Sequence, residues 1–158
     1  PFYWSITKYP NEVQWVDNVE MMISIQEYGN YIVATAKYDS SKTGTQAQLD
    51  QHSLYTFVTF MMGKGDTAGY SYWLFNKKEP KKSQKPYLDY FKIDFGSPLG
   101  KYYKADGVYQ RDFENVKLLL NPTNTDVEVD FDESFTTMDG VSVNQMSVGK
   151  QTGLILLK

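Results

Sequence analysis

Two aliphatic and aromatic runs separated by only two residues constrain this chain most. Residues 108–113, from Val108 to Phe113, and residues 116–120, from Val116 to Leu120, flank Glu114-Asn115. So short a connection predicts an antiparallel β-hairpin that ends at the Pro122 turn. A third run, residues 126–131, alternates Val127, Val129 and Phe131 with Glu128 and Asp130, which predicts a strand with one wet face. Asp139-Gly140 then marks a turn, residues 141–148 alternate again, and residues 153–157 supply a closing strand. The C-terminal part therefore reads as all-β, a small antiparallel sandwich or meander.

A different rhythm precedes it. Asn11 is placed to cap a helix, with Glu12 near the positive helix end. Val13, Val16, Val19, Met22 and Ile23 recur at spacings of three and four, Met21 and Ile25 widen the stripe, and Gly29 stops it. This helix is expected to be buried on well over one side, the Val13 face included. Residues 31–38 are β-branched, small or aromatic and read as a strand buried on both faces, as parallel strands usually are. A second helix is predicted over residues 45–62, with Leu54, Phe57, Val58, Met61 and Met62 forming a core stripe and Gly63 beyond its end. Residues 70–75 give a second buried strand, parallel to the first if the intervening helix is a right-handed crossover. Helix, glycine, strand, helix is the order of an α/β protein.

Polar side chains gather where such strands end. Alternation puts Thr35, Lys37 and Asp39 on one face of the first strand and Ala34, Ala36 and Tyr38 on the other. Residues 39–45 follow as a polar loop at the strand's carboxyl end, the end at which α/β proteins bind ligands. The next strand brings Trp73, Phe75 and Asn76 close by. Aromatic rings beside Asn, Asp and Lys suit a carbohydrate: the sugar's C–H face stacks on a ring while its hydroxyls need fixed donors and acceptors. The alternative is that Tyr72 and Trp73 are core residues. Phe2, Tyr3, Trp4 and Tyr9 likewise read either as a sugar-stacking strip or as a terminus packed against its own domain or a neighbouring chain.

Other features point away from chemistry. His52 is the only histidine and has no ligand partner at metal spacing, and no Ser or Cys nucleophile is arranged beside it. The glycine-rich loop at residues 63–69 lacks the Gly-Lys-Ser/Thr ending of a phosphate loop. The basic stretch at residues 77–85 reads as a solvated linker or a contact for an acidic polymer. Glu128, Asp130, Asp132, Glu133 and Asp139 match no EF-hand spacing and read as a solvated face. No cysteine is present, and no metal or other cofactor is expected. A net charge of −3 argues against nucleic acid as a main partner. No apolar run approaches the ~20 residues of a membrane span, and no signal-peptide pattern opens the chain, although a first residue of Pro1 leaves room for an upstream segment.

The chain also carries a family resemblance. Phe95-Gly96-Ser97-Pro98-Leu99-Gly100, then the residues from Tyr109 to Asn115, then Leu120-Asn121-Pro122-Thr123, resemble the C-terminal part of glycoside-hydrolase-like proteins. In that family a (β/α)8 barrel passes through a glycine-proline loop into a small antiparallel β-domain. Val116 departs from the pattern, since the family commonly has Gly after the Asn of the hairpin turn, and this implies a different turn type. With 158 residues against the ~250 of a complete barrel, the resemblance implies partial (β/α) barrel units over residues 1–85 and a C-terminal antiparallel β-domain over residues 86–158.

Glycoside hydrolysis ordinarily needs two carboxyl groups. Only Asp39 is well placed as a catalytic residue, with Lys37, Trp73, Phe75 and Asn76 as substrate-binding candidates. The expected function is therefore the C-terminal portion of a glycoside-hydrolase-like protein that acts on or binds carbohydrate and is not catalytically competent alone. Its expected partners are carbohydrate and either the remainder of a longer polypeptide or other copies of itself, and the resemblance implies an extracellular or cell-surface location. Two other readings stand beside it: a self-contained carbohydrate-binding or surface-assembly module, and a complete small α+β enzyme. Burial is expected to separate them, because a fragment leaves residues 70–75 or the Val13 face uncovered and a self-contained module does not.

Overall fold

A helix that is apolar all round has to be covered all round, and one such helix sets this architecture. The computed structural model describes residues 2–6, 10–39, 45–82 and 88–158. Tyr9, most of the polar loop (residues 40–44), residues 83–87 and the side chains of Phe2, Tyr3 and Trp4 lie outside the described residues, so the readings placed on them are not taken further. In chain order the elements are β1 (Phe2–Ile6), α1 (Glu12–Glu27), β2 (Ile32–Asp39), α2 (Gln46–Gly63), β3 (Ala68–Phe75), β4 (Tyr103–Ala105), β5 (Val108–Asp112), β6 (Val116–Asn121), β7 (Val127–Thr137), β8 (Ser142–Val148) and β9 (Thr152–Leu157). Strands β1, β2 and β3 form a parallel sheet in that order, and the other six form an antiparallel sheet ordered β4-β5-β6-β9-β7-β8.

The expected fold, partial (β/α) barrel units followed by a separate small sandwich or meander, is corrected here. Among the described residues there are two α-helices, strand outweighs helix at 41% against 29%, and the larger sheet is curled and antiparallel. Every residue of α2 from His52 to Gly63 is buried except Leu54, which precedes Tyr55 on a partly exposed edge. One hydrophobic cluster joins Ile32, Ala34 and Tyr72 of the parallel sheet to Tyr55 and Phe57 of α2 and on to Leu118 and Ile155 of the antiparallel sheet. Helix α2 is thus a shared centre between two sheets, rather than one unit in a repeating wall. The closest approach is at Gly153 on β9, where a Cβ would meet Val58 Cβ at 2.8 Å and the Leu54 carbonyl oxygen at 3.2 Å. Only a glycine lets that strand lie on the helix.

Strand β6 explains the curl. Leu118 and Leu120 point into the cluster around α2, while Leu119 points the other way, into a second cluster with Val108, Val129, Phe135, Val148 and Leu156. Both faces of the sheet's middle are therefore apolar, and β7 and β8 must fold over the outer one. Strand β7 does so by a register break between Asp130 and Phe135, after which Thr136 and Thr137 pair with Leu157 and Leu156 of β9. A bulge of this kind bends and twists a strand.

The first helix is capped as expected, with the Gln14 amide donating to Asn11 Oδ1 at 2.9 Å, and Gly29 follows it at φ +75°. Of its expected stripe Val19 and Met22 are buried and Val16, Ile23 and Ile25 pack against the core, joined by Trp15, while Val13, 70% exposed, and Met21, 41% exposed, are corrected to lie outside it. Two residues along a helix turn the side chain by about 200°, so a stripe centred on Trp15 leaves Val13 outside. Trp15 donates from Nε1 to Thr59 Oγ1 at 2.9 Å and packs against the Tyr109 ring, pinning α1 to α2 and to β5. Burying a ring of this size stabilises the fold by roughly 2–3 kcal/mol. The expectation that β2 is buried on both faces is also corrected: α1 and α2 cover Ile32, Ala34 and Ala36, while Lys37 on the opposite face is exposed.

Candidate functional site

That opposite face is where the polar candidates meet. In the parallel register Lys37 pairs with Trp73 and Asp39 with Phe75, so the four side chains form two adjacent rows at the carboxyl ends of β2 and β3. Trp73 and Phe75 are each 38% exposed, whereas Tyr72, next to Trp73 in the strand, is buried on the helix side. One row further back Thr35 Oγ1 and Ser71 Oγ lie 3.2 Å apart, a hydroxyl pair on the same face. Ser71 obeys the same alternation that singles out Trp73 and Phe75, but no charge or ring marks it in the sequence.

Asp39 keeps only a small part of its side chain exposed and faces Lys77 Nζ at 3.8 Å. With the lysine largely solvated, such a pair contributes at most ~1 kcal/mol. It orients the carboxylate more than it stabilises the fold. Asn76 plays a different part, because its Oδ1 accepts from the backbone amides of Lys78 at 3.0 Å and Glu79 at 2.8 Å. That is an Asx turn, and it reverses the chain as it leaves β3. Asn76 therefore shapes the rim, and Lys37, Asp39, Trp73 and Phe75 line the face.

His52 lies on the far side of the sheet from these residues. Its Nδ1 is 3.0 Å from the Tyr72 hydroxyl and its ring meets the edge of Tyr38, and burial pushes its pKa down to about 4. A neutral imidazole locked in the core between α2 and the sheet is a packing element and not a surface acid or base.

A concavity opens on the antiparallel sheet. A cleft of about 410 Å³ is lined by Tyr103, Gln110, Lys117, Phe131 and the bulged part of β7, including Asp130 and Glu133. Within it Lys117 donates to the Tyr103 hydroxyl at 3.0 Å and to Asp112 Oδ1 at 3.0 Å. Of the acidic residues noted in the sequence, Asp130, Asp132 and Glu133 reach this cleft. Among the described residues no three acid or imidazole side chains converge as a metal site, and no helix is long and apolar enough to cross a membrane.

Compared with known proteins, the chain matches no family model, and none of the curated proteins matches it in sequence.

The face on the parallel sheet can bind, orient and hydrogen-bond a polar ligand with an apolar side. Two rings supply stacking surface, the Lys37 ammonium donates, and the Asp39 carboxylate accepts. Acid–base hydrolysis of a glycoside needs a second carboxyl about 5–9.5 Å from the first. Lys77 supplies an ammonium 3.8 Å from Asp39.

Proposed function

We propose that this chain is part of a glycoside-hydrolase-like protein and contacts carbohydrate through the outer face of its parallel sheet, without carrying a complete catalytic pair. The observation that carries the reading is the register that sets Lys37 beside Trp73 and Asp39 beside Phe75 on one accessible face. A pyranose ring stacks on Trp73 or Phe75 through its C–H face, and its hydroxyls are met by Lys37, Asp39 and the Thr35–Ser71 pair. If the protein hydrolyses a glycoside, Asp39 is the one candidate here for a reacting carboxyl.

The test is tryptophan fluorescence of the chain against a broad glycan panel, repeated with Trp73→Ala. Saturable quenching that disappears in the variant supports the reading, and a flat response across the panel overturns it.

A second reading, a building block of a larger assembly, is favoured by one observation. In the order β1-β2-β3 both outer strands of the parallel sheet have a neighbour on one side only among the described residues. Open strand edges pair readily with other chains. The partner is then the rest of a longer polypeptide or another copy, and sedimentation equilibrium of the chain at rising concentration separates association from a monomer.

A further inference from the structure

The basic stretch after β3 begins on the candidate face. Lys77, two residues beyond the Phe75–Asp39 pair, comes to 3.8 Å from Asp39, the Asn76 Asx turn bends the chain there, and the 3-10 turn Pro80–Lys82 follows. Lys37, Lys77, Lys78 and Lys81 are all exposed, against the carboxylates of Asp39 and Glu79. Beside Trp73 and Phe75 the face carries Lys37 and Lys77 with Asp39, a basic balance in a chain whose net charge is −3, and Lys78 and Lys81 follow in the sequence. Such a rim attracts anions and repels cationic ligands, and its pull is screened by salt within about 10 Å at 0.1 M.

Resting on the carbohydrate reading above, we infer that the ligand of this face is an acidic polysaccharide whose sugars carry carboxylates. The ring faces of Trp73 and Phe75 take the apolar side of a sugar unit. The ammonium groups of Lys37 and Lys77 flank them at the distance of one strand spacing and an ion pair, where carboxylates on that unit and its neighbours lie. Lysine suits this role because its compact charge sits on a flexible stem and follows a polymer whose carboxylates are not held in one geometry. The same rim gives a neutral glucan only its ring contacts.

The experiment titrates the full chain with polygalacturonate, alginate and hyaluronan, and with each polymer after chemical reduction of its carboxylates to neutral alcohols, by calorimetry at low and at high salt. Polyglutamate is the non-sugar polyanion, and the variants are Trp73→Ala and the triple change Lys77→Gln, Lys78→Gln, Lys81→Gln. At least one native polymer is expected to bind about tenfold or more tighter than its reduced form. That margin should vanish at high salt and in the triple variant, and binding of both forms should fall in Trp73→Ala. Equal affinity for native and reduced polymers overturns the acidic ligand while leaving the carbohydrate reading intact. Binding to no native or reduced polymer overturns both. Polyglutamate binding as tightly as the polysaccharides, untouched by Trp73→Ala, overturns the inference in favour of plain charge attraction. Circular dichroism of each variant, all changed at exposed positions, confirms that a loss of binding is not a loss of fold.

Discussion

Arg111 Nη1 lies 2.6 Å from the carbonyl oxygen of Met61. The same nitrogen donates to the carbonyls of Met62 at 3.0 Å and Lys64 at 2.9 Å, while Nε donates to Gly100 at 3.2 Å. The last carbonyls of a helix have no partner within it, and its carboxyl end carries a partial negative charge. A buried guanidinium from β5 answers both needs, and ties the antiparallel sheet to the centre of the molecule. Replacement of Arg111 by Met is expected to lower the unfolding free energy by about 3 kcal/mol. Lys, which keeps the charge without the fork, should fall between the two. Urea denaturation of the three proteins checks the order; equal midpoints would refute this role.

His52 makes stability depend on pH. Its folded-state pKa is pushed down to about 4 by burial, against about 6.5 in an unfolded chain. The unfolded state therefore binds the proton first. The contribution is fully present above about pH 6.5 and is lost as pH falls towards about 4, at up to about 1.4 kcal/mol per pH unit. His52→Gln should flatten the slope between about pH 6.5 and 5, above the range in which carboxylates titrate. An unchanged slope in the variant would assign the pH dependence elsewhere.

Gly153 is a steric prediction. A methyl group there meets Val58 Cβ at 2.8 Å and the Leu54 carbonyl at 3.2 Å. Gly153→Ala is expected to cost about 1–3 kcal/mol. Combined with Val58→Gly, which removes the Cβ at 2.8 Å, the loss should be smaller than the sum of the two single losses by at least ~0.5 kcal/mol, because the second change makes room for the first. Additive losses in this double-mutant cycle would show that the strand shifts instead.

Tyr72 and Trp73 are neighbours in sequence and opposites in burial, at 1% and 38% exposure. Tyr72→Ala is expected to destabilise by about 3–5 kcal/mol and Trp73→Ala, with more of its ring in water, by less. Thermal melts of the two variants decide this. A large loss for Trp73→Ala would make that ring part of the core and weaken its role in ligand contact.

Local features are legible in the residues themselves. Asn11, Gly29 and the period of α1 locate that helix, and Glu114-Asn115 locates the β5–β6 turn. The alternation of Lys37 with Asp39, and of Trp73 with Phe75, puts each pair on one side of its strand, because strand alternation is a property of one strand alone. Ser71 and the Lys77 contact are not legible in the same way. A serine among aromatics carries no signal, and the contact depends on a turn whose hydrogen bonds involve one side chain and two backbone amides.

The sequence by itself determined both helices and most of the strands, though not β1 or β4, and which side chains share a face within one element, since these follow from hydrogen bonding and periodicity over a few residues. The tertiary structure alone decided which apolar faces would be covered. The burial of α2 between two sheets, the exposure of Val13, the inward turn of Trp15 and the docking of Arg111 on the end of α2 all depend on partners far away in the chain. Trp15 meets Thr59 and Arg111 meets Met61 only after distant elements have docked. Hydrophobic burial is non-directional, so an apolar stripe states that it needs a partner without naming one.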